Sequence, residues 1–348
     1  MNFDHEIEKN DFDQFMMIMQ GHVAFQCLKA GIEFKLFDLL AESGSLSRKE
    51  IMHKLGLQET PCKILLRALY SLNLINKENE KFKNAPIASQ YLVGELGDQT
   101  RDILGWQDKI VYPAIVDFIE ALKTGTNVGI KHFPGHGSSL YERLSSDKQL
   151  EAIFQKAMSG LSRKAHGAFY EKLDLQGKKT IMDVGGGDGS NLKALLEKYP
   201  DKTGIIFDLP SVCQLAEKNI ANWGLSDRLK TFSGNLFQDD FPKNVDVILF
   251  CHIFTIWSDD KIVGILKKCH QSLAKGGQVV VFNMLSNDNE YGPISCALGS
   301  PYFLTIATGE GKLHTVTEIK SWFNQIGFSN VEYQGGLPID HGIIIATK

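Results

Sequence analysis

Asp183-Val-Gly-Gly-Gly-Asp-Gly189 follows the strand-like run Lys179-Thr-Ile-Met182 and precedes the helical stretch Ser190-Asn-Leu-Lys-Ala-Leu-Leu-Glu-Lys198. Glycines between a strand and a helix remove side chains, so that a ligand can approach the backbone. Counted from Gly185, a dinucleotide fingerprint would need its third glycine where Ser190 stands. The spacing Asp183, Gly185, Gly187, Gly189 suits S-adenosylmethionine instead. That molecule has no pyrophosphate to seat on a helix N-terminus, and its ammonium group favours an acidic strand end. Asp208 ends the next strand, where a carboxylate can accept both hydroxyls of a ribose. Gly234-Asn235-Leu236 ends the third, near where an adenine would lie.

The same rhythm runs to the C-terminus. KTIMDV, GIIFDL, LKTFSG, DVILFCHIF and QVVVFNML are short strand-like runs separated by helical stretches such as SVCQLAEKNIANW and KIVGILKKCHQSLA. This alternation predicts an α/β fold with a Rossmann-like, doubly wound, mainly parallel sheet. NVEYQGG (330–336) and GIIIATK (342–348) read as a closing antiparallel hairpin. Upstream, Phe15 to Leu40 repeats apolar residues at three- and four-residue steps, predicting buried helices. Ser45-Leu-Ser47 signals the start of a helix ended by Gly56, and Thr60, followed by Pro61, opens another. A polar turn with strand-like flanks follows (76–92). Helix, turn, helix and β-wing is a winged-helix pattern. The expected organisation is a mostly helical winged-helix-like domain over 1–105, a helical connector and pocket segment over 106–176, and a cofactor domain over 177–348.

Bulk properties narrow the class. A chain of 348 residues suggests about two domains. With 43% hydrophobic and 22% charged residues, wholesale disorder is excluded. No run reaches the ~18 apolar residues of a membrane span. The N-terminal MNFDHEIEKNDFDQF is acidic where a signal peptide would be basic and then apolar. Cys27, Cys62, Cys213, Cys251, Cys269 and Cys296 are scattered, as free thiols of a cytoplasmic protein would be. A net charge of −4 gives no general reason to expect nucleic acid as a partner.

With these motifs in place, the sequence resembles, over nearly its whole length, the small-molecule O-methyltransferases of the caffeic acid and hydroxyindole type. Phe154-Gln-Lys-Ala-Met158 looks like the family's F-x-x-A-M pocket helix. DVGGGDG and FDLP (Phe207 to Pro210) are similar to its two cofactor motifs, and RLKTFSGNLF to the segment usually ending G-D-F-F. The resemblance implies S-adenosylmethionine as cofactor, a small-molecule substrate, and a homodimer formed through the N-terminal domain. It implies cofactor contacts at Asp183, Gly185, Gly187, Asp208, Leu209, Asn235, Leu236 and Cys251.

The departures bear on mechanism. The family's K-x-[IV]-L-H-D-W-[SD]-D reads Cys251-His-Ile-Phe-Thr-Ile-Trp-Ser-Asp259 here. The histidine that deprotonates a hydroxyl is replaced by Thr255, and its aspartate neighbour by Ile256. The two glutamates that brace the histidine fall at Asn283 and Leu313. Threonine is no general base near neutral pH. A sulfonium donor, however, lets alignment alone supply much of the rate. Nitrogen, carbon or pre-ionised acceptors are therefore favoured over a simple hydroxyl.

His252, after the fourth strand, and His314, near the second lost glutamate, are the substitute-base candidates. A packed His252 and a solvent-facing His314 are the plainer expectations. His132 and His136 lack a carboxylate cluster, so no metal is expected. Trp106, Phe154, Met158, Trp257, Tyr302 and Phe303 are expected to wall an aromatic pocket beneath a lid beginning at Ser300. Two alternatives stand: a cofactor-bound enzyme of non-methylating chemistry, such as an elimination or pericyclic rearrangement, and a DNA-binding regulator. The would-be recognition helix is rich in Leu, Ile and Ala, which suits an interface better than DNA.

Overall fold

Strand order decides where a ligand can sit. The computed structural model describes residues 9–289 and 291–348; the first eight residues of the acidic N-terminal stretch lie outside that range. The chain forms two compact units, residues 1–107 with 156–160, and residues 108–155 with 161–348. Residues 106–176, read above as a connector, are divided between them.

The first unit begins with helices α1 (Lys9–Met19), α2 (Gly21–Glu33) and α3 (Leu36–Ser43). Strand β1 (Leu46–Ser47), helices α4 (Arg48–Leu55) and α5 (Glu59–Ser71), and strands β2 (Ile75–Glu78) and β3 (Lys81–Asn84) follow. Helices α6 (Pro86–Tyr91) and α7 (Gly94–Trp106) complete it. The three strands form an antiparallel sheet in the order β1-β3-β2. A capping box starts α4: the Glu50 amide donates to Ser47 Oγ and the Ser47 amide to Glu50 Oε2. Gly56, at φ 65°, ends it in the left-handed region. Gly31 lets α2 approach closely, since a Cβ there would lie 2.9 Å from the Phe37 ring. Phe37, Ile51, Leu66, Leu69 and Phe82 form the core. The expectation of buried helices over 15–40 holds for α3 and part of α2 but fails for α1, where Phe15, Met17, Ile18 and Met19 are exposed. Phe12, Phe15, Ile18 and Met19 stand three and four residues apart, an apolar stripe that this unit leaves exposed.

The second unit opens with α8 (Tyr112–Ala114), α9 (Phe118–Thr124) and α10 (Leu140–Leu144), and then takes all but five residues of the long α11 (Lys148–Lys172). Strands β4 (Thr180–Val184), β5 (Thr203–Asp208), β6 (Leu229–Ser233), β7 (Val245–Cys251) and β8 (Leu273–Met284) are parallel, and β9 (Ser329–Leu337) and β10 (His341–Thr347) are antiparallel. Helices α12 (Ser190–Lys198), α13 (Pro210–Asn222), α14 (Asp259–Ser272), α15 (Ile294–Tyr302) and α16 (Val316–Ile326) accompany them. The order is β6-β5-β4-β7-β8-β10-β9, the doubly wound Rossmann-like sheet and closing hairpin expected from sequence.

Apolar residues fill both faces, as a sheet covered on two sides requires. Ile181, Leu249, Val280 and Phe282 pack with α11, α12 and α13, while Met182, Phe250, Val281 and Phe254 pack with α14 and α16. From β4 the chain winds outward through β5 and β6, then returns to β7 on the other side. The order reverses between β4 and β7, and the crevice beyond their carboxyl ends is the place for a ligand.

Candidate active site

At that crevice the β4 strand ends in Asp183 and Val184 and turns through glycine. Gly185, Gly187 and Gly189 have φ of 71°, 57° and 88°, a region other residues enter at a cost. A Cβ on Gly185 would lie 2.5 Å from Ile253 Cδ1, and one on Gly189 2.8 Å from Ile206 Cδ1. Gly187 has open space where its side chain would be. The loop is thus pressed onto the protein on one side and bare on the other.

Two carboxylates frame it. Asp208 Oδ2 accepts from the Gly187 amide at 3.0 Å and Oδ1 from the Leu209 amide at 2.7 Å. These bonds fix the carboxylate while leaving lone pairs for further donors. Burial pushes its pKa up, against the pull of the two amides. Asp183, 1% exposed, accepts from Asn191 Nδ2 at 3.2 Å through Oδ2, and its buried Oδ1 has no partner. Burial raises its pKa to about 7, with Asp208 and Asp188 adding to the rise. A buried acid with an orphaned oxygen calls for a cationic or hydrogen-bonding ligand. The residues therefore fit an adenosyl sulfonium compound with its ammonium group and ribose diol. Cys251, at the end of β7, is half-buried, and burial, then Asp183, pushes its thiol pKa well up.

Asn235 turns the loop after β6: its Oδ1 accepts from the Phe237 amide at 2.8 Å, and its own amide donates to Asp239 Oδ2 at 2.7 Å. Lys268 Nζ donates to the Leu236 carbonyl at 2.8 Å. Trp257 meets Phe237 edge-on at 4.7 Å, with Lys261 Nζ 5.0 Å from the Trp257 ring centre. Trp257 therefore stands beside the Asn235 loop.

Other pocket candidates assemble through a residue that the sequence analysis missed. Tyr141, on α10, meets Phe154 edge-on at 5.8 Å and hydrogen-bonds with Tyr302, which in turn meets Phe303 at 5.2 Å. Tyr141 carries no motif, and only its aromatic character in a glycine-bounded segment could have flagged it. Burial pushes its phenol to about 12. Trp106 and Met158 belong to the first unit. The lid segment is the end of α15 and a π-type turn over Phe303–Ala307. Gly311 backs directly onto the Thr255 carbonyl, and Thr308 Oγ1 donates to the Ile256 carbonyl.

Thr255 is 4% exposed, and its hydroxyl donates to the His252 carbonyl at 3.2 Å. Leu313 is buried, and Asn283 is 1% exposed with neither end of its amide partnered. The expectation of a solvent-facing His314 is overturned: it is 1% exposed, and its Nε2 donates to the Phe254 carbonyl at 3.1 Å. The bridge between Ser286 and Thr315 draws the loop inward, so the imidazole packs against Trp322 and pins the turn bearing Thr255. Burial lowers its pKa despite Glu318 and Asp259 nearby. His252 is half-buried at φ 59°, and its Nε2 lies 2.8 Å from His341 Nε2.

Comparison with known proteins agrees with this architecture. The chain matches the O-methyltransferase domain family over residues 116–329 and the O-methyltransferase dimerisation domain over 16–94. It is 33% identical to the L-tyrosine C(3)-methyltransferase of Streptomyces lavendulae, over 97% of this chain and 93% of that one. It is 30% identical to a 3-hydroxy-5-methyl-1-naphthoate 3-O-methyltransferase of Streptomyces sahachiroi, over 93% and 91%. The solved structure of the S-adenosylmethionine-dependent methyltransferase SibL superposes with a TM-score of 0.87 at 33% identity, covering 96% of this chain and 98% of that one.

Proposed function

The chain belongs to the O-methyltransferase family of S-adenosylmethionine-dependent enzymes, and from that premise we propose that it methylates a phenol of the L-tyrosine type at a ring carbon rather than at the hydroxyl. The observation that carries this reading is the state of Thr255. It stands where the family keeps its base, its hydroxyl is committed to the His252 carbonyl, and no carboxylate stands at 256, 283 or 313. An enzyme that must strip a proton from a hydroxyl before transfer would need that base. A phenol ring carbon ortho to the oxygen is already nucleophilic and loses its proton only after the new bond forms.

The bound cofactor supplies an electrophilic methyl group on a sulfur that leaves with its electron pair. Asp208, held by the Gly187 and Leu209 amides, takes the ribose hydroxyls, and Gly185 and Gly187 let the backbone approach. Asp183 and Cys251 would hold the amino-acid end, and Asn235, Leu236 and Trp257 the adenine. Phe154, Tyr302 and Phe303, with Tyr141, present an apolar surface to a planar acceptor. The first unit is a winged-helix module used for homodimerisation. The relative acting on L-tyrosine C(3) and the other acting on a hydroxynaphthoate support an aromatic acceptor.

An acceptor panel tests the reading. With S-adenosylmethionine, L-tyrosine is expected to gain the mass of one methylene, and L-phenylalanine, which lacks the activating oxygen, to remain unchanged. Unchanged mass across tyrosine and related phenols would sink the reading.

A further inference from the structure

Three imidazoles surround the Phe282 ring. His341 stacks on it at 4.9 Å, His252 meets it at 5.1 Å and His166 at 5.2 Å. Phe282 is fully buried and stacks on Phe169. Two of the imidazoles are hydrogen-bonded to each other, and the bonding pattern fixes their protons. His341 Nδ1 lies 2.9 Å from the Pro338 carbonyl oxygen, which can only accept, so Nδ1 carries the hydrogen. A neutral His341 then has a bare Nε2. The His252 Nε2 at 2.8 Å must donate to it, which leaves His252 Nδ1 as a bare basic nitrogen.

The neighbours of His252 place it at the lip of the glycine loop. Cys251 before it faces Asp183, and the Ile253 side chain after it fills the space above Gly185. The His252 amide donates to the Phe282 carbonyl at 2.9 Å, so the left-handed backbone at φ 59° is tied to β8. A non-glycine residue held in that region is a strained position kept by its surroundings. His252 lies three residues before Thr255.

We propose that His252 Nδ1 accepts the proton that the acceptor ring loses, and that His341 is the positioning residue that fixes the His252 tautomer. The proposal rests on the ring-carbon reading above. As the ring carbon takes the methyl group, the ring carries a positive charge. Its C–H bond then breaks, the electron pair returns to the ring, and the proton goes to Nδ1. His252 becomes an imidazolium, which returns the proton to solvent. Burial, then the neighbouring imidazoles His341 and His166, hold the His252 pKa well below its ordinary value. The ring therefore stays unprotonated at neutral pH. A weak base suffices here, because a methylated ring cation is a far stronger acid than the phenol from which it came.

The test uses the full-length enzyme and ring-deuterated L-tyrosine. Asparagine tolerates a positive φ but cannot take a proton, so His252→Asn keeps the backbone while removing the base. Its turnover is expected to fall about 100-fold, as loss of a general base does. A primary deuterium isotope effect, near unity in the parent, should appear because proton loss becomes slow. Calorimetric affinity for S-adenosylhomocysteine should stay within about twofold, showing an intact fold. His341→Leu should lower turnover about tenfold, and His341→Gln, whose carbonyl can accept from His252 Nε2, should restore most of it. Long-range nitrogen–proton NMR of the parent without acceptor should show His252 as the Nε2–H tautomer.

A ring-methylated product with an unchanged isotope effect in His252→Asn, or an Nδ1–H tautomer, would overturn the proposal alone. A methoxy product would instead sink the ring-carbon reading, and the proposal with it.

Discussion

The Thr255 hydroxyl donates to the carbonyl oxygen of His252 at 3.2 Å, so its hydrogen is committed to the backbone of the residue three before it. A buried hydroxyl with one such bond contributes about 1 kcal/mol to stability. Thr255→Val, nearly the same shape, is expected to lower unfolding free energy by roughly that amount in urea titrations. Steady-state turnover should stay within about threefold, since no proton passes through this oxygen.

Asp208 is held by the amides of Gly187 and Leu209, and the role proposed for it as a diol acceptor depends on its charge. Asp208→Asn replaces an acceptor-only group by one with an amide donor facing the Gly187 or Leu209 amide. Calorimetry should show affinity for S-adenosylhomocysteine falling by at least about tenfold, equivalent to roughly 1.4 kcal/mol.

The buried carboxyl of Asp183 gives the unliganded enzyme a pH signature. Its folded pKa, about 7, lies above the usual aspartate value of 3.8 because burial disfavours the charge. The folded state therefore holds this proton more tightly than the unfolded chain. The stabilisation is complete below about pH 4 and is lost as pH rises through 7. Denaturation of the parent should show a falling contribution between about pH 4 and 7 that Asp183→Asn removes. An ammonium ligand favours the ionised form, so cofactor binding should release a proton near neutral pH, read as a buffer-dependent calorimetric enthalpy.

Asn283 has both amide ends buried and unpartnered, a cost of about 1–3 kcal/mol per group. Asn283→Leu, of similar volume, should raise stability by about 1 kcal/mol. If the amide is retained for the acceptor, KM for L-tyrosine should rise at least about fivefold with cofactor affinity unchanged. Unchanged KM would make the residue merely tolerated.

On the first unit, α1 exposes Phe12, Phe15, Ile18 and Met19 within or beside the matched dimerisation segment. A contiguous apolar face of this kind marks an interface. Light scattering is expected to report a dimer for the parent and a monomer for the double variant Phe15→Asp, Ile18→Asp. A monomeric parent would contradict this assignment.

Strand periodicity and the DVGGGDG loop made the sheet and the crevice between β4 and β7 legible, because period and glycine conformation are local properties. The helix start at Ser45–Ser47 and its stop at Gly56 were equally local. Proton positions were not: His341 lies 89 residues from His252, and only the fold brings the two rings to 2.8 Å. His314 misled for a related reason. Its flanking Lys312 and Thr315 suggest an exposed loop, but pairing of Ser286 with Thr315 buries it. Likewise the period of α1 announces a helix without saying whether its apolar face meets this chain or another. Tyr141 joins Phe154 to Tyr302 across nearly 150 residues of sequence, a distance no spacing argument spans.

The most direct measurement is NMR of the product formed from S-adenosylmethionine carrying a carbon-13 methyl group and L-tyrosine. An aromatic methyl signal coupled to a ring carbon, with one ring proton lost, is the predicted result. A methoxy signal with all ring protons retained would contradict the account.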